Sequence, residues 1–435
     1  MKTKNFYKNK IGIIGLGYVG LPLAVAFSKK FDVVGFDVNK KKISNIIKRK
    51  NISEISKKDQ KQLKQFKVTS DKKFLRNCNI YIVTVPTPIH ENNKPDLRLL
   101  IKATTQVSNI LKKGDLVIFE STVYPGTTEE ICIPILEKNS KLKLNNNSKE
   151  FDKNTFFCGY SPERINPTDR THLLPNTNKV VSGSSKKVKN FLKKKEKTII
   201  KANIHSAPNI KVAEASKMIE NVQRDLNIAL INELSIIFNK LEIKTLDVLK
   251  AASTKWNFST FYPGLVGGHC IGVDPYYMAH KAKLLKVKSD LILGGRRIND
   301  YMPTYVGKKF IKKLSLLKNK NQKKKKVLIM GITFKENCPD VRNSKVMEIY
   351  EFLKNKNLQL DLFDPVANQE EFKKLYKTKL IKNIRNNFYD GIIISVRHLN
   401  FVKLGFEKIK KYAKKDSIIF DLKSIFPKNS SDFSL

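Results

Sequence analysis

The chain has 435 residues, more than one hydrophobic core usually serves, and its 41% of hydrophobic residues is ordinary for a globular protein. Its longest apolar runs, such as residues 391–396 and 418–422, are far shorter than the roughly 20 residues that span a bilayer, which excludes a membrane-spanning protein. The formal net charge of +45 comes from lysines spread along the whole length, which favours solvated surface lysines over a patch that binds nucleic acid or a membrane.

Short apolar runs alternate with amphipathic or polar segments over the first 200 or so residues. These runs are residues 11–14, 33–36, 80–85, 116–120, 156–159 and 179–182. Continuous apolar strands separated by helices predict a parallel sheet that is covered on both faces. No small-residue cleavage site follows the basic N-terminus, so we expect no signal peptide and a cytoplasmic location.

A long helix is predicted over residues 207–241, where apolar side chains recur near a 3.6-residue period. Its length suggests a spine between domains or between subunits. A loop rich in glycine, proline and aromatic residues, 258–277, then interrupts the helical pattern.

After a lysine run at 323–326, the strand, helix, strand pattern returns, with VLIMG at 327–331 and LDLFD at 360–364. This second copy lacks the glycines of the first, so it should bind something other than a pyrophosphate at its first turn. The predicted fold class is α/β, with two Rossmann-like doubly wound domains joined by a central helical domain that contains the spine helix. The expected domains are residues 1–206, 207–318 and 319–435.

Three glycines mark the first turn of the chain. Gly15, Gly17 and Gly20 have G-x-G-x-x-G spacing where a predicted strand meets a helix. Such glycines permit a tight turn and a close approach of the backbone to a pyrophosphate, which the helix N-terminus also attracts. Asp37 ends the next strand, where a carboxylate binds a ribose 2′-hydroxyl and repels a 2′-phosphate. The pattern predicts NAD rather than NADP, although Lys42 and two further lysines lie close by.

The five cysteines have no C-x-x-C pairing, which argues against a zinc site and a disulfide framework. Cys270 follows Gly267 and Gly268 in a predicted irregular loop, and Asp274 comes four residues later. A cysteine in such a loop is open to close approach by a ligand, and a nearby acid can orient water or tune the thiol. A buried, inert cysteine is the alternative that these residues alone leave open.

Several motifs follow one another in a characteristic order. They are GLGYVG at 15–20, VPTP at 85–88, ESTVYPGT at 120–127, SPERINP at 161–167, AEASKMIEN at 213–221, GGHCIGVDP at 267–275 and TFKENCPDVRNS at 333–344. With them the chain resembles the UDP-glucose and UDP-mannosaminuronate dehydrogenase family over nearly its full length. The resemblance implies NAD-dependent, four-electron oxidation of the C6 hydroxymethyl group of a UDP-hexose to a carboxylate, through a thiohemiacetal and a thioester on Cys270.

The same resemblance implies site residues. The catalytic residues would be Cys270, Lys217, Asn221, Asp274, Glu163 and Thr122. The cofactor would contact Gly15, Gly17, Tyr18, Val19, Gly20, Asp37, Lys42, Pro86, Thr87, Thr122 and Arg342. The UDP-sugar would contact Arg164, Ile165, Lys217, Asn221, Arg224, Phe261, Tyr262, Gly267, Gly268 and Lys335. No metal is expected.

Each implied role has a physical reason. Lys217 and Asn221 lie at i and i+4, hence on one helix face, and suit the stabilisation of a developing oxyanion. Glu163 and Thr122 would help a water act as base or hydrolyse the thioester, and Asp274 would influence Cys270. Arginine and lysine side chains suit recognition of a diphosphate.

Departures from the UDP-glucose branch point to the substrate. That branch usually has an F-G-G-S-C loop and a second acid after S/N-P-E, whereas this chain has GGHCIGVD and SPERINP. These features resemble the branch that acts on N-acetylhexosamine nucleotides, like the Vi-polysaccharide and O-antigen enzymes, and UDP-N-acetylglucosamine is the favoured substrate. Gly272 stands where proline is common in the mannosaminuronate enzymes. UDP-GalNAc, UDP-ManNAc and UDP-glucose stay open.

Two other classes of protein fit parts of the pattern. A two-electron hydroxyacid dehydrogenase would need Lys217 and Asn221 but no thiol. A basic binding protein with an inert Rossmann fold would use the lysines alone. We expect neither nucleic acid nor a membrane as a partner, and a homodimer or higher homo-oligomer formed through the central helix.

Overall fold

A computed structural model describes most of the chain and packs it into two compact units. The described residues are 10–50, 52, 54–146, 154–165, 173–317, 324–427 and 429–435. Unit 1 comprises Met1–Glu220 and Tyr276–Lys286, and unit 2 comprises Asn221–Pro275 and Val287–Leu435. Three residues of the motifs and runs named above, Asn166, Pro167 and Lys323, lie outside the described residues.

Unit 1 is built on one large sheet. Its strands are β1 (Lys10–Ile14), β2 (Asp32–Phe36), β3 (Lys67–Thr69), β4 (Ile80–Val83), β5 (Leu116–Phe119), β6 (Lys143–Leu144), β7 (Thr155–Tyr160), β8 (Lys179–Gly183) and β9 (Ile204–Ser206). Across the described part of the sheet the strand order is β3-β2-β1-β4-β5-β7-β8-β9, and β6 pairs with β7 at the side. The order reverses between β1 and β4, which is where ligands bind in open α/β sheets.

Both faces of this sheet are buried, which explains why its strands are continuous apolar runs. In β4, Ile80 and Ile82 pack into one core, and Tyr81 and Val83 pack into the core on the opposite face. Strand β5 alternates in the same way. Successive side chains of a strand point to opposite faces, so a sheet covered on both sides needs apolar residues at every position.

Two strands, β8 and β9, depart from the parallel arrangement expected from the sequence. Strand β8 runs antiparallel to β7, with Gly159 opposite Gly183 and Tyr160 opposite Ser182, whereas its other neighbour, β9, is parallel to it. An antiparallel neighbour needs no crossover helix, and none is seen in the described residues between the two strands. The reversal brings Lys179, the first residue of β8, to the edge of the sheet at which β7 ends.

Helices cover the sheet and continue beyond it. They are α1 (Gly20–Phe27), α2 (Lys40–Lys48), α3 (Arg98–Ser108), α4 (Ile133–Ser140), α5 (Lys186–Glu196), α6 (Ile210–Lys240), α7 (Thr245–Ala252), α8 (Asp274–Leu284) and α9 (Asp290–Ser315). The predicted long helix is α6, which has 31 residues and is continuous from unit 1 into unit 2. None of the helices in the described ranges is long and apolar enough to cross a membrane.

Unit 2 contains the second sheet. Its strands are β10 (Lys326–Met330), β11 (Gln359–Phe363), β12 (Tyr389–Ile394) and β13 (Ala413–Asp421), and its further helices are α10 (Lys345–Lys354), α11 (Gln369–Tyr376), α12 (Leu399–Leu404) and α13 (Phe406–Lys410). The strand order is β11-β10-β12-β13, and every pair is parallel. This order matches β2-β1-β4-β5 of unit 1, so each unit contains the same strand pattern.

The two patterns also share the construction of their first turn. Gly15 adopts φ +96°, and its N–H donates to the carbonyl of Phe36 over 2.9 Å; Gly331 adopts φ +83° and donates to Phe363 over 2.9 Å. The following N–H donates to the aspartate after the second strand, Asp37 in unit 1 and Asp364 in unit 2. In unit 2, however, the next helix begins only at residue 345. The second turn therefore lacks the helix N-terminus that would bind a pyrophosphate.

Candidate active site

Two of the three glycines in the first turn of unit 1 are required by the fold itself, and the third is not. Gly15 needs its left-handed backbone. A Cβ on Gly20 would overlap the carbonyl oxygen of Gly15 and crowd the Thr84 hydroxyl. Gly17 is different, because a Cβ there would have only the Lys42 ammonium near it, at 4.0 Å. The open space above Gly17 fits a ligand that approaches the backbone closely, as a pyrophosphate does.

Thr84, which the sequence reasoning did not single out, holds this turn in place. Its hydroxyl lies 2.7 Å from the Gly15 carbonyl oxygen and 3.0 Å from that of Ile14. Val19 is the residue that precedes α1, so Tyr18 and Val19 form the approach to the helix N-terminus. The predicted cofactor turn therefore has a rigid support from Thr84 and leads directly into the N-terminus of α1.

Asp37 and Lys42 lie beside the turn as predicted, together with an acid that was not predicted. One Asp37 oxygen accepts the N–H of Leu16 at 3.0 Å, which ties the carboxylate to the glycine turn. The Lys42 ammonium lies 3.4 Å from a carboxylate oxygen of Glu54. Because Glu54 neutralises this lysine, the surroundings of Asp37 offer little attraction to a 2′-phosphate.

Two loops at the carboxyl ends of β4 and β5 are joined by hydrogen bonds. The Thr87 hydroxyl donates to the Thr122 carbonyl over 2.6 Å, and the Ser121 hydroxyl donates to the Val85 carbonyl over 2.7 Å. Pro86 lies exposed between the bonded residues. The structure thus brings together the VPTP and ESTV segments, which the sequence assigned to the nicotinamide side.

The loop after β7 contains three predicted site residues. One oxygen of Glu163 accepts the N–H groups of Arg164 and Ile165, at 2.6 and 2.8 Å, and the other lies 3.4 Å from the Lys179 ammonium. The Arg164 guanidinium pairs with Glu220 of α6 at 2.6 Å. Both oxygens of Glu163 are therefore engaged, one with the backbone of its own loop and the other with Lys179.

Helix α6 carries the predicted lysine and asparagine one turn apart. Lys217 is buried, and its ammonium makes no hydrogen bond or ion pair within the described ranges. Asn221 is also buried, and its amide donates to Asp274 over 2.5 Å. Arg224, one turn further along, is exposed. A buried ammonium whose N–H donors have no protein partner is suited to stabilise a negative charge that develops during a reaction.

A buried acid of the AEASKMIEN motif has a structural role that sequence reasoning missed. Glu214 accepts the N–H of Gly126 at 2.6 Å and that of Thr128 at 2.9 Å. Burial raises the pKa of Glu214 to about 7. This side chain anchors the end of the ESTVYPGT segment to α6.

The cysteine loop lies in unit 2, where its two glycines are required by packing. A Cβ on Gly267 would overlap the Asn343 carbonyl oxygen, and a Cβ on Gly268 would lie 2.7 Å from the Phe334 ring. Gly268 adopts φ +87° and donates its N–H to the Asn343 carbonyl over 3.1 Å. The Cys270 carbonyl accepts the N–H of Asp274 at 2.8 Å, at the start of α8.

Cys270 differs from the other cysteines in its exposure. All five cysteines lie within the described residues, and Cys270 is exposed whereas Cys78, Cys132, Cys158 and Cys338 are buried. Burial raises the pKa of the Cys78 and Cys132 thiols to about 12, and the pKa of Cys158 is also raised. A thiol must ionise and be reached to act as a nucleophile, so Cys270 is the suitable candidate.

Next to this cysteine, His269 joins the loop to the segment after β10. Its Nε2 lies 3.6 Å from Asp340, and its Nδ1 lies 3.3 Å from the Asn343 amide nitrogen. Burial would raise the pKa of Asp340, but hydrogen bonds from Arg342 and His269 outweigh it and hold that pKa well below its usual range. Arg342, predicted to reach the cofactor, also lies 3.6 Å from Glu371.

The remaining predicted substrate residues are in unit 2. Phe261 is half-buried and Tyr262 is exposed. The loop that contains them is anchored to α6 because Asn232 accepts the Gly264 N–H at 2.8 Å and donates to its carbonyl over 3.0 Å. Lys335 is half-buried, and its carbonyl accepts the Thr333 hydroxyl at 2.8 Å.

A buried histidine closes the second turn. His398 Nε2 lies 3.0 Å from Asp364 and 3.2 Å from the Thr333 hydroxyl, and Nδ1 accepts the Asn337 N–H at 3.0 Å. The imidazole therefore engages the carboxylate that corresponds to Asp37 of unit 1. No group of histidine, cysteine and acidic side chains that would hold a metal occurs in the described ranges.

Comparisons with known proteins cover nearly the whole chain. Residues 9–203 match the NAD binding domain of the UDP-glucose/GDP-mannose dehydrogenase family, residues 211–301 its central domain and residues 328–428 its UDP binding domain. A UDP-N-acetyl-D-glucosamine 6-dehydrogenase of Pseudomonas aeruginosa is 48% identical over 98% of this chain and 99% of its own length.

A protein of the same name from Salmonella typhi is 47% identical over 98% of both chains. Among solved structures, UDP-D-ManNAc dehydrogenase from Pyrococcus horikoshii superposes with a TM-score of 0.85 at 28% identity and covers 98% of each chain.

Proposed function

The chain belongs to the UDP-glucose/GDP-mannose dehydrogenase family, and from this we propose that it oxidises the C6 hydroxymethyl group of UDP-N-acetylglucosamine to a carboxylate. The sequence predictions of the family, of an α/β fold with Rossmann-like domains and of NAD as cofactor are confirmed. The observation that carries the chemical part of the proposal is the exposure of Cys270 in a loop that packing holds in place.

The choice of sugar rests on the relatives. Two UDP-N-acetyl-D-glucosamine 6-dehydrogenases are 47–48% identical to this chain, whereas UDP-N-acetyl-D-mannosamine dehydrogenases are 30% identical over similar lengths. The GGHCIGVD loop, with Gly272 in place of proline, agrees with this choice. UDP-N-acetylglucosamine is therefore the first substrate to test.

The proposed chemistry uses one thiol and one water. NAD, when bound, would supply the hydride acceptor, and the two oxidations would consume two NAD molecules in turn. The C6 alcohol first loses a hydride and a proton to give an aldehyde, and the Cys270 thiolate adds to its carbon to give a thiohemiacetal. Loss of a second hydride and a proton gives a thioester, and water then displaces the sulfur to release the carboxylate and regenerate the cysteine. A covalently held intermediate prevents the aldehyde from leaving half-oxidised.

The side chains of α6 support these steps. We assign the oxyanion of each tetrahedral adduct to the Lys217 ammonium, because that buried cation has no partner among the described residues. Asn221 keeps its second amide hydrogen for the same purpose while the first holds Asp274. Thr122 is proposed to orient the attacking water, and Glu163 holds the Arg164 and Ile165 amides.

Recognition of the substrate is assigned to the residues that the family resemblance implies. Arg164, Ile165, Arg224, Lys335 and the 261–268 loop are proposed to contact the UDP-sugar. The ion pair with Glu220 orients the Arg164 guanidinium. A guanidinium has five N–H donors, so this pair leaves donors that can bind a ligand. The cytoplasm, which supplies both NAD and UDP-sugars, stays the predicted location.

A screen of UDP-sugars tests this function. The purified chain is mixed with NAD and, separately, with UDP-GlcNAc, UDP-GalNAc, UDP-ManNAc or UDP-glucose, and NADH formation is followed. We expect the highest kcat/KM for UDP-GlcNAc. A higher kcat/KM for another UDP-sugar would replace the assigned substrate, and no NADH from any of them would refute the function. Oxidation of a small hydroxyacid at one NADH per molecule would support the two-electron class instead.

We also propose that α6 forms a homodimer contact. Val212, Ile219, Leu230 and Ile237 are exposed, and their spacings of 7, 11 and 7 place them along one helix face. An apolar stripe of this kind on a helix marks an interaction surface. Light scattering on the intact chain should give a dimer or higher oligomer, and Leu230→Glu should lower the mass. A monomer at all concentrations would exclude the contact.

A further inference from the structure

A cluster of charged side chains is buried at the carboxyl edge of the unit 1 sheet. The Lys179 ammonium lies 2.8 Å from Glu120 and 3.4 Å from Glu163, and these side chains are only 2%, 0% and 7% exposed. A third acid, Glu196 at the end of α5, is also buried. One lysine thus contacts two acids that belong to different loops.

The antiparallel direction of β8 explains this arrangement. Glu120 follows the last residue of β5, and Glu163 lies three residues beyond the end of β7, so both acids are at the edge where the parallel strands end. Strand β8 begins at that same edge because it runs the other way, and its first residue is Lys179. A parallel strand at this position would present its last residue there instead.

Both acids are attached to backbone that the reaction uses. Glu163 accepts the N–H groups of Arg164 and Ile165, which are proposed to meet the sugar. Glu120 directly precedes Ser121 and Thr122, and the Thr122 carbonyl accepts the Thr87 hydroxyl. The lysine therefore joins the loop on the substrate side to the loop on the nicotinamide side.

The cluster has features that lower its contribution to the stability of the fold. One Glu120 oxygen and one Glu196 oxygen are buried without a hydrogen-bond partner in the described ranges. Burial raises the pKa of Glu196 and raises that of Glu120 to about 8, so burial opposes the ionised form of both acids. Apolar residues of similar volume often stabilise a protein as well as a buried ion pair does. A buried lysine at this place therefore points to a need for defined loop geometry.

We propose that Lys179 is a positioning residue for the dehydrogenase reaction, and that it holds segments 120–124 and 161–165 at the separation that the sugar and the nicotinamide require. The proposal rests on the function proposed above. Lys179 acts through Glu120 and Glu163, and its ammonium is not required to touch the substrate.

Kinetics of Lys179→Met measure the effect on the reaction. Misplacement of groups by about 1 Å costs as much as about 10²-fold in rate, so we expect kcat/KM for UDP-GlcNAc to fall by about that factor, with a raised KM for the sugar. The NAD affinity should fall far less than kcat/KM, because the glycine turn, which contributes most of the NAD binding, lies outside the two segments. Lys179→Arg, which keeps the positive charge, should recover most of the loss. Glu196→Gln is the matched control, and it should behave as the unchanged chain because an amide of the same shape leaves the contacts of Lys179 with Glu120 and Glu163 in place.

Hydrogen exchange measures the position of the loops without any substrate. In Lys179→Met we expect faster amide exchange in segments 120–124 and 161–165, and unchanged exchange in β10 of unit 2. If Lys179→Met does not fold, Lys179→Met with Glu163→Gln replaces it, because that pair leaves no unpaired charge and still offers an acceptor to the Arg164 and Ile165 amides. Faster exchange in segments 120–124 and 161–165 is expected of the double variant as well, and unchanged exchange there would overturn the proposal.

The outcomes separate the two proposals. An unmodified chain that makes no NADH from any UDP-sugar refutes the function, while the exchange experiment still decides whether Lys179 holds the loops. An active chain whose Lys179→Met variant keeps its kcat, KM and loop exchange overturns the positioning role. A lower melting temperature with unchanged kinetics shows a merely structural lysine, which also overturns it.

Discussion

Replacing Gly17 by alanine separates the binding function of the glycine turn from its folding. Gly17 has no left-handed backbone angle, and an added Cβ would come no closer than 4.0 Å to the Lys42 ammonium. The folded protein therefore accommodates alanine, and we expect its stability to change by no more than about 1 kcal/mol. The added methyl group would instead occupy the space that a pyrophosphate needs.

The expected loss of NAD affinity follows from the hydrogen bonds that would be displaced. A hydrogen bond to a charged group is worth about 1.5–3 kcal/mol, and losing two of them costs about 3–6 kcal/mol. At about 1.4 kcal/mol for each factor of ten, Gly17→Ala should weaken NAD binding by roughly 10² to 10⁴-fold. Calorimetric titration with NAD measures this, and thermal unfolding reports the stability.

Gly20→Ala is the contrasting variant within the same turn. Its Cβ would overlap the Gly15 carbonyl oxygen, so it should lower stability by about 1–3 kcal/mol or more through overpacking. If Gly17→Ala bound NAD as tightly as the unchanged chain, the turn would not be the pyrophosphate site. If Gly17→Ala lost as much stability as Gly20→Ala, the space above Gly17 would not be open to an added methyl group.

Three further outcomes are expected. Lys217→Ala should lower kcat by roughly 10²-fold or more if the ammonium stabilises an oxyanion; a change confined to KM would reduce its role to binding. Asp37→Asn together with Glu54→Gln should raise activity with NADP relative to NAD, because both acids that repel a 2′-phosphate are neutralised, and an unchanged cofactor ratio would argue against that role. Burial raises the pKa of Glu214 to about 7 and of Glu120 to about 8, both from 4.5, so the folded state holds extra protons. The free energy of unfolding should therefore fall as the pH rises from about 5 to about 8, by about 1.4 kcal/mol for each unit of pKa shift. Melting temperatures should show this decline, and Glu120→Gln should make it shallower; a melting temperature that rose over the same range would contradict the reasoning.

Much of the fold was accessible from local sequence patterns. Continuous apolar runs predicted strands buried on both faces, and a 3.6-residue period over residues 207–241 predicted a helix that the structure places at Ile210–Lys240. Gly15 and Gly20 were predictable because their requirements arise within one turn. These features depend on neighbours in sequence, which a pattern reveals.

Contacts between distant residues were not accessible in this way. The engagement of Glu163 depends on Lys179, and that contact exists only because β8 runs antiparallel to β7. The neutralisation of Lys42 by Glu54 depends on a loop whose path no motif indicates. Among so many lysines, nothing in the sequence distinguishes the buried Lys179 from the solvated ones.

The cysteine that would hold the half-oxidised sugar is central to the proposed reaction. The most direct test of its role is the number of NADH molecules formed for each UDP-GlcNAc consumed, measured for the unchanged chain and for Cys270→Ala. We expect two NADH for each uronate with the unchanged chain, and no uronate with the alanine variant. One NADH with release of an aldehyde, or the same yield of uronate without the thiol, would contradict the thioester chemistry.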